Sequence, residues 1–150
     1  MDIEKIIRGY LPQVIHMSLA TCSDNKPWIS EVHYVFDNEL NLYFRSTPQR
    51  RHSIEILKNA NVSGNIVTQH SLGQKVRGVY FEGSAERILN VTKDHVAYQL
   101  YCQRFDTNEE ILAEAEKETG HVFYKITVQK FYVFDGYESS PSTKYELGWK

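Results

Sequence analysis

The apolar positions change period along the chain. Ile3, Ile6, Ile7, Tyr10 and Leu11 recur at helical spacing, and Pro12 ends the run, so the chain opens with a predicted helix. Over residues 14–22 the period falls to two: Ile15, Met17, Leu19 and Thr21 alternate with His16, Ser18 and Ala20. That alternation predicts a strand. After the Ser23-Asp24-Asn25-Lys26 turn, residues 27–36 alternate again and put Trp28, Ser30, Val32, Tyr34 and Phe36 on one face. Asp37-Asn38-Glu39 turns the chain into a third strand over 40–45. Short turns between successive strands imply antiparallel pairing.

Further on, a helix is expected from Pro48 to about Asn59, with Thr47 as its N-cap, followed by a strand over 62–68. A loop holding Gly73 leads into a long strand, 75–89. Gly78 and Gly83 inside it mark a bulge or a close backbone approach. Two helices come next. One starts near Thr92; the other starts at Thr107, where Thr107-Asn108-Glu109-Glu110 reads as a capping box, and stops near Gly120. A last strand over 121–134 brings the expected count to six. The loose stretch 138–143 precedes a short tail ending Gly148-Trp149-Lys150. Six antiparallel strands with inserted helices predict a mainly β fold closed as a small barrel, which removes sticky sheet edges.

Composition narrows the function classes. The 150 residues are expected to form one domain, with its core over about 13–136. Mean hydropathy of −0.47 and 41% hydrophobic residues suit a water-soluble globule. A net charge of −2 argues against a nucleic-acid binder, which needs a basic surface. Two cysteines without CxxC spacing suit a reducing compartment, and no apolar run is long enough to span a membrane, so a cytoplasmic protein is expected. Six histidines lack HxH or HxxxH spacing, so no metal site is expected.

The richest stretch for chemistry runs from Leu42 to Ser53. The N–H groups of a helix start lie beside the Ser46 and Thr47 hydroxyls and beside Arg50, Arg51 and His52. Such a set suits a phosphate monoester. The same residues also read as a plain helix cap with a solvated basic face. Lys75 and Arg77 fall on one face of the fifth strand and offer a further positive group, or an ordinary barrel rim. The glutamates of the last helix read as its solvated side.

Several segments, in this order, carry a family likeness: His16-Met17-Ser18-Leu19-Ala20-Thr21, Pro27-Trp28-Ile29-Ser30, Leu42-Tyr43-Phe44, Arg51-His52 with Asn59, Asn61-Val62-Ser63-Gly64, and Arg77-Gly78-Val79-Tyr80-Phe81-Glu82-Gly83. Together they resemble the pyridoxamine 5'-phosphate oxidase-related, FMN-binding split-barrel superfamily, and within it a group of small bacterial proteins. The resemblance implies a six-stranded split β-barrel that binds FMN across a homodimer interface. It places the FMN phosphate at Ser46, Arg51 and His52, with Arg45 and Thr47 beside them. Ser30 and Val32 would face the flavin ring, and Lys75 and Arg77 would add a contact from the fifth strand. The oxidase itself has arginine where this chain has Ser30, lysine at His52 and glutamine at Gly78, and the tail here differs from the oxidase's substrate-recognition tail, so pyridoxamine phosphate oxidation is not expected. The implied function is an FMN-dependent oxidoreductase acting on a small molecule that the sequence does not identify. The alternative is a non-catalytic module that holds flavin or haem for storage or sensing.

Overall fold

The computed structural model describes residues 1–136 and 143–149. Residues 138–142 of the loose stretch, and Lys150, lie outside them. The helices are α1 (Ile3–Tyr10), α2 (Arg51–Lys58), α3 (Val96–Phe105) and α4 (Glu110–Ala115), with a 3-10 turn at Leu11–Gln13. The strands are β1 (His16–Ser23), β2 (Lys26–Phe36), β3 (Leu42–Ser46), β4 (Asn61–Val67), β5 (Arg77–Arg87), β6 (Val122–Asp135) and β7 (Thr143–Gly148).

Every strand pairing is antiparallel, in the order β3-β2-β1-β4-β5-β6-β7, and β3 also pairs with β6. The β3–β6 ladder closes six strands into a ring, the small barrel that the alternating pattern predicts and the split barrel that the family likeness implies. The seventh strand corrects the expected count. The tail returns along the far half of β6, where Thr143–Gly148 pairs with Asp135–Lys130, and the Trp149 indole donates to the Glu39 carbonyl at 2.8 Å.

Inside the ring, Leu19, Tyr34, Phe44, Phe81, Tyr124 and Phe131 are buried, with Ile7 and Leu11 from the N-terminal segment closing against them. Ile56 of α2 joins the same core, so α2 plugs one mouth of the barrel. A second cluster lies outside the ring. Val35, Tyr43 and Phe123 of the sheet's outer face meet Ala97, Tyr101 and Ile111 of α3 and α4. Burial of this size makes apolar contact the main favourable contribution to the fold.

Three local expectations need correction. α2 starts at Arg51, not Pro48, because Thr47-Pro48-Gln49-Arg50 closes a turn in which the Arg50 N–H donates to the Thr47 carbonyl at 3.2 Å. Proline fits the second position of such a turn, so Thr47 is not the N-cap; Arg50 is, without a side-chain bond. The Thr107 capping box does not form either. Asn108 Oδ1 accepts from the Glu110 N–H at 2.9 Å, while the Thr107 hydroxyl donates to Cys102 Sγ at 3.4 Å. Finally, β5 starts at Arg77, which leaves Lys75 in the loop before it. Gly83 does mark a bulge: the β5–β6 register shifts between Glu82 and Gly83, and a Cβ on Gly83 would overlap the Thr127 carbonyl.

Candidate functional site

The barrel is split where β3 leaves β2. The two pair only through Tyr34–Phe36 and Phe44–Leu42, after which Arg45 and Ser46 pair with Phe123 and Val122 of β6. Below Tyr34, the same face of β2 presents Val32, Ser30 and Trp28 with no β3 neighbour. They line a cleft of about 640 Å³, a usual size for a small-molecule site. Its other wall is the end of β3 and the start of α2, which bring Arg45, Ser46, Arg50, Arg51 and His52. Tyr101, Glu114 and His121 complete the far end, with Glu31 and His33 on the β2 side.

His52 is the hub of the near end. It is 7% exposed, and both ring nitrogens are engaged: Nε2 with the Ser46 hydroxyl at 2.7 Å and Nδ1 with the Ser30 hydroxyl at 3.0 Å. Phe44 meets the ring at 6.1 Å between centroids, edge to face. Burial, and next the Arg50 charge, push the imidazole below its ordinary pKa, while Glu55 pulls the other way. The ring is therefore neutral at neutral pH.

Arg51 lies one position before it. Its guanidinium stacks on Trp28 at 4.2 Å, and its Nε donates to Glu55 Oε1 at 3.0 Å. Glu55 is buried and also accepts from the Thr21 hydroxyl at 2.6 Å. That bond, followed by Arg51, holds its carboxyl below the usual range. The pairing fixes the stem of Arg51 and leaves its two terminal nitrogens without an acceptor among the described residues. The first-turn N–H groups of α2, which begins at Arg51, have no intrahelical acceptor.

At the far end, Arg45 Nη2 donates to Glu114 Oε2 at 2.7 Å, and Glu114 Oε1 holds His121 Nδ1 at 2.8 Å. The bond from Arg45, aided by His121, brings the Glu114 pKa down to about 2. Among the described residues Arg45 Nε has no hydrogen-bond acceptor; the guanidinium lies against the Tyr101 and Phe123 rings, 5.5 Å from each centroid.

The structure thus brings Ser30, Val32, Arg45, Ser46, Arg51 and His52 to one cleft. It does not bring Thr47, Lys75 or Arg77 there. Thr47 serves the turn, Lys75 is exposed in its loop, and Arg77 is paired with the fully buried Asp135 at 2.7 Å. The sequence reading missed Glu114 and His121. It took Glu114 for a solvated helix face, and only the tertiary pairing with Arg45 removes it from that class. Tyr101 reaches the cleft through long-range packing that no local pattern signals. Among the described residues no His, Cys, Asp and Glu group is placed to hold a metal ion, and no helix is long and apolar enough to cross a membrane.

No family model matches the chain. Among solved structures, HutZ, the haem storage protein of Vibrio cholerae, superposes with a TM-score of 0.68 at 19% identity, covering 93% of this chain and 100% of that one. An FAD-binding protein of Mesorhizobium loti superposes with a TM-score of 0.66 at 19% identity, covering 89% and 92%. Identities this low establish the shared split-barrel fold alone. In sequence, a UPF0306 protein of Photorhabdus laumondii is 31% identical over 102 residues, spanning 67% of this chain and 71% of the relative. With that identity over that share of both proteins, the chain belongs to the UPF0306 family.

Proposed function

We propose that the cleft binds FMN, phosphate first, and that the protein is a flavin-dependent oxidoreductase related to the pyridoxamine 5'-phosphate oxidase superfamily. One observation carries the reading. Ser46, His52 and Arg51, whose terminal nitrogens have no acceptor among the described residues, line one wall of the cleft at the start of α2. The donor set suits a dianionic ester: hydroxyls, unpaired amides and a guanidinium fork whose stem is already fixed. Bound there, FMN would supply two-electron and one-electron redox chemistry. The chain's own part is to anchor the phosphate at Ser46, Arg51 and His52 and to face the ring system with Ser30 and Val32. Tyr101 and the Arg45–Glu114 pair would bound the far end.

The superfamily relationship also favours a homodimer. On the outer face of β1, β2, β4 and β5, the small residues Ala20 and Ser63 lie beside Ile29, which is 65% exposed. A second copy seated there would bury it.

Storage or sensing of haem or flavin is the second reading, favoured by His121. A carboxylate on one ring nitrogen leaves the other to face a ligand, an arrangement common in imidazoles that bind metal-containing groups. Absorption spectra of the purified protein separate the readings. A flavin spectrum, FMN uptake on titration and oxidation of NADH or NADPH support the oxidoreductase. Flavin without turnover, or a haem Soret band, supports the binding module. A colourless protein that takes up no FMN removes the flavin reading.

A further inference from the structure

We propose that Ser30, His52 and Ser46 form a proton-gated donor chain that makes the cleft selective for doubly charged phosphomonoesters, with binding taking up a proton. This inference rests on the anion-binding reading of the cleft, not on the redox activity.

Hydrogens on the ring and the two hydroxyls are limited in number. A neutral imidazole carries one N–H and one bare nitrogen. Both nitrogens of His52 contact a serine hydroxyl, at 2.7 Å and 3.0 Å. One serine must therefore give its only O–H to the bare nitrogen, whichever tautomer is present. That hydroxyl has no hydrogen left for a ligand. Only the other serine, which accepts from the ring N–H, can turn its hydrogen to the cleft. Protonating the ring reverses the first contact. Both hydroxyls then accept from ring N–H groups, and both hydrogens turn outward to an anion. One proton thus adds one donor and one positive charge to the wall.

In the absence of ligand this state is disfavoured, since burial and Arg50 hold the ring neutral. Arg50 and Glu55 act on it from its own helix. Across the cleft, Arg45 is matched by Glu114, while Glu31, His33 and His121 lie along the rim. Among the described residues no carboxylate hydrogen-bonds the ring, and burial and Arg50 outweigh Glu55, so the charge that tips the ring to imidazolium must come with the ligand. A dianionic phosphate supplies it; a monoanionic carboxylate supplies less, and an uncharged molecule supplies none. The gate therefore acts as a specificity filter.

Calorimetry of FMN binding at pH 7.5, in two buffers of different ionisation enthalpy, reads the proton directly. At that pH the phosphate, with a second pKa of about 6, is already a dianion and contributes little. Uptake of roughly half a proton or more per FMN is expected, with an affinity that falls by up to about tenfold per pH unit on the alkaline side. His52→Gln, which leaves His33 and His121 in place, should flatten that profile. Riboflavin, lacking the phosphate, should bind without uptake. FMN binding with no proton uptake and a flat pH profile overturns the gate and leaves the flavin reading standing. If FMN does not bind, sulfate becomes the probe, followed by the nitrogen NMR shifts of His52. Protonation of His52 on adding sulfate supports the gate although the flavin reading has failed, and an unresponsive ring overturns it.

Discussion

Replacing Arg51 by alanine separates the two jobs of its guanidinium. Toward the protein, Arg51 stacks on Trp28 at 4.2 Å and donates to Glu55 at 3.0 Å. Its side chain is 45% exposed and that of Glu55 is 8% exposed. Solvent screens such a pair, and Glu55 keeps its bond from Thr21. The stability loss should be about 1 kcal/mol. Toward the ligand, the terminal nitrogens would lose one charge-assisted fork on phosphate. Such a contact contributes about 1.5–3 kcal/mol, and the half-open setting favours the lower part of that range. FMN should then bind roughly 10- to 30-fold more weakly. Flavin fluorescence titration measures this, and a thermal melt checks that the variant is folded. Riboflavin has no phosphate, so its affinity should not change. Arg51→Lys should recover only part of the loss, because an ammonium keeps the charge without the fork. A folded Arg51→Ala protein with unaltered FMN affinity, or with FMN and riboflavin weakened equally, would refute the assignment of Arg51 to the phosphate.

Three other outcomes test the fold and the site. Glu114, held at a pKa of about 2 by Arg45 and His121, stabilises the folded state above the ordinary carboxylate pKa and loses that contribution as pH falls toward 2. The wild type should therefore melt higher than Glu114→Gln at pH 7, with the gap closing on acidification; a gap that is constant across that range would contradict the pairing. Gly64→Ala should destabilise by about 2–3 kcal/mol, since its Cβ would overlap the Ser18 carbonyl and the Phe81 ring in the barrel core. Chemical denaturation reads it, and a neutral result would mean that β1 and β4 are not so closely paired. If the proposed homodimer forms through this face, Ile29→Lys should shift it toward monomer in light scattering while the variant stays folded, and an unchanged dimer would place the interface elsewhere.

The barrel was legible because its inner and outer faces differ. Period-two alternation at Met17, Leu19 and Thr21, and at Trp28 to Phe36, is what a half-buried strand requires. β7 was not legible as a strand, although Tyr145 and Leu147 alternate, because its partner lies across the Pro-Ser stretch and only β6 gives it meaning. The start of α2 was misplaced by three residues, since Thr-Pro suits a turn and a helix cap equally, and the Arg50-to-Thr47 bond decides between them. At the site, Ser46, Arg51 and His52 stood out because they are close in sequence. Ser30 came from the family likeness, and its bond to His52 spans 22 positions. Glu114 and His121 carried no local signal: what gives them a role is Arg45, 69 and 76 residues away. Arg77 shows the reverse failure, a basic residue on the expected strand whose partner is a buried carboxylate on β6.

The most direct test of the account is a crystal structure of the protein grown with FMN. The phosphate should lie within hydrogen-bond reach of the Ser46 hydroxyl, the Arg51 guanidinium and the first N–H groups of α2, with the ring system running past Ser30 and Val32. FMN seated away from the split between β2 and β3, or bound there with its phosphate turned out to solvent, would contradict it.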